Sequence, residues 1–158
     1  MKVIKWLDDN LEEKLMSLFL WAIVVIMGIQ VVMRYVFKSS LSWSEEVSRY
    51  LFVWMVFTGI SYGVKTGSHM RIDMLEHFFP RLKKGLGLLA DTCFLAFAVF
   101  MIKPGIKVIS AIKLSGQTSP AAGIPMHYVY TGLLVGFSLV VIRTIQKYVL
   151  MFMKKGAK

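Results

Sequence analysis

The sequence is poor in acidic residues and has almost no cysteine. It contains 9 Asp and Glu residues against 19 Lys and Arg residues in a chain of 158, and Cys93 is its single cysteine. One cysteine excludes an internal disulfide. The chain also lacks a phosphate-binding glycine loop, a nucleophile beside a base, and the spacing typical of metal ligands. We therefore expect no catalytic, cofactor-binding or metal site, and no enzyme activity.

What the sequence has in excess is apolar residues. They make up 56% of the chain and charged residues 18%, whereas a soluble domain has roughly 45–50% and 25%. The net charge of +10 could indicate nucleic-acid binding, but the basic residues lie at the ends of apolar runs and are not interleaved with aromatic residues. The composition predicts one membrane domain over residues 1–158, with lipid and not nucleic acid around it.

Four apolar segments are candidates for membrane spans, since a helix needs about 20 residues to cross a bilayer. The expected spans cover residues 15–36, 42–64, 85–103 and 125–148, and each must be helical to satisfy its own backbone. The first apolar run is too long for a signal peptide, so we expect no cleavage. Residues 1–14 place acidic residues from Asp8 to Glu13 opposite an apolar face, which is typical of an interfacial helix. The predicted fold is an all-α membrane protein with four transmembrane helices preceded by a short amphipathic interfacial helix.

Basic residues are distributed unevenly among the segments that connect these spans. Of the 19 Lys and Arg residues, 13 lie in the N-terminal segment, the segment after the second span and the C-terminal tail. The remaining 6 lie on the opposite side. Because loops rich in Lys and Arg stay in the cytoplasm, the pattern predicts that both termini are cytoplasmic, an N-in/C-in topology.

Asp91 lies inside the third predicted span, where an ionised group must face a partner or water. Arg143, at the inner end of the fourth span, is its predicted partner in a buried ion pair. A role for Asp91 in ion coupling is the alternative. In the second span, Gly59 and Gly63 form a G-x-x-x-G step, which favours close approach of a neighbouring helix.

Several sequence blocks resemble one family of transporter subunits. Residues Leu41–Tyr50 read L-S-W-S-E-E-V-S-R-Y, and further blocks cover Gly59–Lys65, His69–Leu75 and Ser119–Pro125. Together they resemble the small membrane subunit of tripartite ATP-independent periplasmic (TRAP) transporters, the DctQ-like family, over nearly the whole chain. Overall similarity favours the sialic acid branch of that family.

This resemblance implies a function that composition alone does not give. The chain would be a multi-pass protein of the bacterial inner membrane and would support a large membrane subunit of about a dozen helices, which moves as an elevator. A periplasmic binding protein would deliver an organic acid, with sialic acid favoured and a C4-dicarboxylate as the alternative. A sodium gradient would drive uptake, and the small subunit would need no cofactor.

The resemblance also suggests which residues meet the partners. Five residues near the outer end of the second span are predicted to contact the large subunit: Trp43, Glu45, Glu46, Arg49 and Trp54. Four basic residues of the outer loops are predicted to contact the binding protein: Lys38, Lys103, Lys107 and Lys113. Independently of any partner, Glu45 and Glu46 complement the positive end of the helix dipole.

Two other classes of membrane protein remain as alternatives. A stand-alone small four-helix exporter needs a membrane-embedded Glu in its first helix, where this chain has Gln30. A membrane anchor subunit of a respiratory dehydrogenase holds haem between ligands at matching depth, and His69, His77 and His127 do not provide such a pair.

Overall fold

The computed structural model describes residues 2–66 and 83–156, which form four α-helices joined by loops. These are α1 (Lys2–Tyr35), α2 (Ser42–Thr66), α3 (Lys83–Ser115) and α4 (Met126–Gly156). The predicted all-α class is confirmed. The block His69–Leu75, which contributed to the family resemblance, lies outside the described residues.

Three helices are long and apolar enough to cross a membrane. They span Asn10–Tyr35, Gly87–Ser115 and Met126–Val149. The remaining helix, α2, is less apolar. Four of its small polar residues are buried against neighbouring parts of the chain: Ser44, Ser48, Thr58 and Ser61. Small polar residues at helix contacts are common in membrane bundles. Residues 42–64 therefore stay a predicted span.

The N-terminal amphipathic segment belongs to the first helix. The sequence predicted a separate interfacial helix over residues 1–14, whereas α1 runs unbroken for 34 residues from Lys2 to Tyr35. The side chain of Glu12, predicted on the polar face of an interfacial helix, is fully buried. Glu12 therefore packs between helices of the chain and does not lie on a separate interfacial helix.

Helix α3 extends well beyond the end predicted for the third span. The third span was predicted to end at Lys103, where the uncharged run stops, and the next residue, Pro104, removes a helical hydrogen bond. The structure continues the helix through Pro104 to Ser115. At Gly105 the helix lies so close to α4 that an added Cβ would be 2.7 Å from Leu134 Cδ2. Helix α3 thus continues to pack against α4 beyond Pro104.

The helices pack in the order α1, α2, α4, α3, with each contacting its neighbours in that row. Only 6% of the candidate span in α1 and 11% of that in α3 is buried, against 39% in α4. The described chain is therefore an open row with α1 and α3 at its edges. Large apolar side chains on those edges, such as Leu18, Trp21 and Phe100, are exposed, as expected for a surface that meets lipid or another membrane protein.

The row is held together by aromatic packing around Phe137 on α4. Its ring makes edge contacts with Phe57 at 5.9 Å and Phe97 at 5.8 Å. The closest approach of α2 and α4 occurs beside it, because a Cβ added to Gly136 would lie 2.6 Å from Phe57 Cβ. Four residues earlier, the ring of Trp54 covers Gly132.

A G-x-x-x-G step on α4, from Gly132 to Gly136, therefore forms the tightest described contact of α2. The step predicted from the sequence, Gly59 and Gly63, lies on α2 instead. There, a Cβ on Gly59 would meet Met16 Sδ at 3.2 Å, so this glycine does face a neighbouring helix, α1. The two steps serve different neighbours.

Candidate functional site

A buried ionic cluster joins α1, α2 and α4 near one end of their long axes. Arg143 Nε on α4 donates a hydrogen bond to Glu12 Oε1 on α1 at 2.6 Å. The same oxygen accepts a bond from Ser61 Oγ on α2 at 3.1 Å, and Lys65 Nζ lies 3.7 Å from Glu12 Oε2. Arg143 also donates to Gln146 Oε1 at 2.7 Å. One carboxylate thus joins α1, α2 and α4.

Burial makes the geometry of this cluster important for stability. The Glu12 side chain has no exposed surface and Arg143 is 7% exposed. A buried charge is tolerated only when it is paired and hydrogen-bonded. The Glu12–Arg143 pair therefore stabilises the position of α1 relative to α4, and the bond from Ser61 ties α2 to the same carboxylate.

Asp91 has a different partner from the one predicted. The ion pair expected with Arg143 is replaced by one with Lys147, whose Nζ contacts Asp91 Oδ2. One residue further along α3, Thr92 Oγ1 and Tyr148 Oη are 2.9 Å apart. Because α3 and α4 are antiparallel, this register places Asp91 level with Lys147, one turn beyond Arg143. The pair is only partly buried, at 18% and 30% side-chain exposure.

We call these groups together the Arg143 layer. It comprises Glu12, Ser61, Lys65, Asp91, Arg143, Gln146 and Lys147. The sequence reasoning identified Asp91 and Arg143 but missed Glu12. A usable signal was present, because Glu12 and Gln30 are eighteen residues apart, which is five turns at 3.6 residues per turn. Both polar residues therefore lie on one line of α1, the line that packs on α2.

A second polar layer lies at the opposite end of the helix axes. Glu46 Oε2 accepts hydrogen bonds from the backbone N–H groups of Ala121 at 3.0 Å and Ala122 at 2.8 Å. Gln30 on α1 bonds to Ser40 Oγ at 3.2 Å and accepts from the N–H of Leu41 at 3.0 Å. Each bond holds a helix-connecting loop against a helix end. We call these residues the Glu46 layer.

The loop that Glu46 holds is itself well ordered by local bonds. Ser119 N donates to the carbonyl of Ile124 at 2.8 Å, and Ser119 Oγ accepts from Ile124 N at 3.2 Å. Gly123 closes the turn with φ of +65°, a conformation that glycine adopts without a Cβ penalty. The Pro-Gly segment that contributed to the family resemblance is thus a compact turn built to meet Glu46.

The five predicted large-subunit contacts fall into two groups. Trp43, Glu45 and Arg49 are exposed near the start of α2. Glu46 and Trp54 make contacts inside the chain, with the α3–α4 loop and with Gly132 respectively. Adjacent helical residues point about 100° apart, and this separates Glu45 from Glu46. Glu46 therefore binds within the chain, whereas Glu45 is exposed.

The four lysines predicted in outer loops do not share one setting. Lys38 lies between α1 and α2 with φ of 52°, and Lys113 lies in the last turn of α3; both are exposed. Lys103 and Lys107 are also exposed but lie within α3, because that helix continues to Ser115. Their predicted position in a loop is therefore corrected.

The fold and its polar layers define a class: a helical membrane protein whose charged groups join helices and helix-connecting loops. A family model described as "Tripartite ATP-independent periplasmic transporters, DctQ component" matches residues 23–153. The chain belongs to this family of TRAP transporter subunits.

Individual relatives agree with that family. The chain is 28% identical over 151 residues to an isethionate TRAP transporter permease protein DctMQ of Oleidesulfovibrio alaskensis, covering 91% of this chain and 24% of that protein. It is 37% identical over 95 residues to a C4-dicarboxylate TRAP transporter small permease protein DctQ of Vibrio cholerae, covering 60% and 41%. A sialic acid TRAP transporter permease protein SiaT of Haemophilus influenzae is 32% identical over 149 residues, covering 91% and 23%. The chain thus spans less than half the length of each of these relatives.

Proposed function

We propose that this chain is the stationary small subunit of a TRAP transporter in the bacterial inner membrane, with four membrane spans and both termini in the cytoplasm. The observation that carries the scaffold role is the pair of polar layers. Their charged groups join helices to each other and to loops, and along α1 they are separated by about 27 Å, from Glu12 to Gln30. That spacing is close to the ~30 Å hydrocarbon thickness of a bilayer, so the layers suit its two boundaries.

The orientation follows from which layer is basic. Lys65, Arg143 and Lys147 belong to the Arg143 layer, and the rule that cytoplasmic loops are rich in Lys and Arg puts that layer inside. The Glu46 layer then faces the periplasm. This agrees with the excess of basic residues in the N-terminal, inter-span and C-terminal segments.

A large membrane subunit is the proposed partner. Two relatives named as permease proteins contain the region similar to this chain within a protein about four times as long. In those proteins a region like this one is covalently joined to the rest of the permease. We infer that the present chain supports an equivalent large subunit that carries the moving substrate site. Exposed Trp43, Glu45 and Arg49 at the start of α2 are proposed to contribute to that contact.

The proposed cargo is an organic acid taken up with a sodium gradient and delivered by a periplasmic binding protein. Sialic acid is the candidate favoured by the sequence, while relatives are also named for a C4-dicarboxylate and for isethionate. Lys38 and Lys113, exposed at the periplasmic end in the proposed orientation, can attract an acidic surface on the binding protein. Rim charges of this kind raise association rates more than affinity.

Co-purification tests the proposal. The chain, tagged and co-expressed with a candidate large subunit and binding protein, is expected to carry the large subunit through mild-detergent purification. Reconstituted vesicles should then accumulate an organic acid only with an inward sodium gradient and the binding protein. Recovery of a flavoprotein or Fe–S subunit with a haem spectrum would favour a dehydrogenase anchor instead. Solute export by vesicles that contain this chain alone would favour the small exporter.

A further inference from the structure

Two lysines of α3, Lys103 and Lys107, lie between the Arg143 layer and the Glu46 layer. Gly105 packs against Leu133 and Leu134, and Leu134 is about halfway along α4 between Met126 and Arg143. Lys103 and Lys107 flank Gly105 by two residues on each side, about 3 Å along the helix axis. Lys103 is thus about midway between the Arg143 layer and the Glu46 layer, and Lys107 lies about one turn nearer the Glu46 layer.

In the part of the chain that the structure describes, these two are the sole charged side chains that lie between the layers and more than one turn from both. Between the layers, α1 also carries Glu13 and Lys14 and α2 carries Arg49, each within one turn of Glu12 or Glu46, and the corresponding stretch of α4 has no Asp, Glu, Lys or Arg. Helix α3 therefore differs from the other three in carrying two ammonium groups more than one turn away from either layer.

Both lysines point away from the rest of the chain. Positions two residues on either side of Gly105 are about 200° from it around the helix, and Gly105 faces α4. Lys103 and Lys107 are accordingly exposed, as are Ala96 and Phe100 on neighbouring turns of the same face. Phe100 is 72% exposed. We call Ala96, Phe100, Lys103 and Lys107 the α3 outer face.

Lipid tails suit this face poorly. Ionised side chains at mid-depth are rare in membrane helices and face a partner or a water-filled cavity. Lysines near helix ends can reach the headgroups. Lys103 is twelve residues from Asp91, about 18 Å along the helix, and the Cβ atoms of both lysines tilt toward the N-terminus of α3, away from the Glu46 layer. Pro104 adds a further polar demand, because it offers no N–H to the carbonyl of Phe100.

We propose that the α3 outer face docks against the large membrane subunit, with carboxylate groups of that subunit opposite Lys103 and Lys107. This inference rests on the proposed function and adds to it the contact face and the chemistry of the partner. Charge complementarity favours a carboxylate, and the exposed edge position of α3 leaves room for a neighbouring helix. It also removes Lys103 and Lys107 from the predicted contact with the binding protein.

Charge reversal provides the first test, in the co-expressed complex. Lys103→Glu with Lys107→Glu should lower recovery of the large subunit at least tenfold, while Lys103→Arg with Lys107→Arg retains it. The matched control is Lys113→Glu, which makes the same charge change on the same helix beside the Glu46 layer and should change recovery less than twofold. Equal recovery with all variants would overturn the inference.

Cross-linking provides a second test that does not depend on insertion of a reversed charge. In a Cys93→Ser background, a photo-crosslinker is attached to Ala96→Cys on the α3 outer face or to Leu18→Cys on the opposite edge of the row. Attachment of the large subunit through position 96 at least fivefold above position 18 supports the proposal. Cross-links from position 96 only to lipid or to a second copy of this chain would overturn it. If the parent chain recovers no large subunit at all, the proposed function itself fails.

Discussion

Removing Glu12 should destabilise the protein strongly, because its carboxylate is fully buried in the Arg143 layer. Glu12→Leu removes the buried carboxylate that both Arg143 and Ser61 contact. Because Glu12 is fully buried and Arg143 is 7% exposed, the loss falls in the range for breaking a buried pair, about 3–5 kcal/mol. The measurement is the free energy of unfolding from circular dichroism during SDS titration of the protein in mixed micelles.

The double variant separates a true pair from a simple packing defect. Glu12→Leu with Arg143→Leu replaces both charges by apolar groups, a change that is often close to neutral. Lys65 can then turn to solvent, since its side chain is already 22% exposed. We expect the double variant to recover most of the loss, with a coupling free energy of about 3 kcal/mol in the double-mutant cycle.

Asp91→Leu is the matched control, because it also removes one carboxylate from the Arg143 layer. Its pair with Lys147 is more exposed, at 18% and 30%, and such pairs contribute about 0–1 kcal/mol. A Glu12→Leu variant no less stable than Asp91→Leu would refute the reasoning. So would a double variant as unstable as the single one, which would place the important partner of Arg143 elsewhere.

Three further predictions concern helix packing, the ordered loop and topology. Gly136→Ala should lower the free energy of unfolding by about 1–3 kcal/mol through overpacking against Phe57, whereas Gly28→Ala, where nothing lies within 4 Å, should not; equal melting temperatures would contradict this. Glu46→Ala should speed amide exchange in the α3–α4 loop at least tenfold, measured by mass spectrometry, while Glu45→Ala leaves it unchanged. In a Cys93→Ser background, Ser39→Cys should react with an impermeant thiol reagent in intact cells and Gly156→Cys should not; the reverse would invert the topology.

The sequence contained enough information to predict the general fold and the family. Long apolar runs can satisfy their backbones only as helices, so the all-α membrane class follows from composition and length. The bounds of α2 were close to those predicted, because its start is marked by polar and acidic residues and its end by Lys65. The end of α3 was not predictable in the same way, since a lysine followed by Pro104 is a local stop signal that the tertiary contact of Gly105 with α4 overrides.

The polar contacts show where prediction from sequence reached its limit. Asp91 was recognisable as a charge that needs a partner, but the choice between Arg143 and Lys147 depends on the register of two antiparallel helices. A shift of one turn, about 5.4 Å, exchanges one candidate for the other. Likewise, two adjacent glutamates look equivalent in sequence, and only the position of the α3–α4 loop makes Glu46 an internal acceptor while Glu45 stays exposed.

By itself, then, the sequence determined which segments are helical and which family the chain belongs to, and it predicts that the basic segments are cytoplasmic. These properties depend on local hydrophobicity, local charge and short motifs. Only the tertiary structure decided that Glu12 is buried, that the four helices form an open row, and that Lys103 and Lys107 lie on an exposed face of α3 between the two polar layers. Those properties depend on how helices far apart in sequence are rotated and shifted against each other, and residue order along one helix does not fix either quantity.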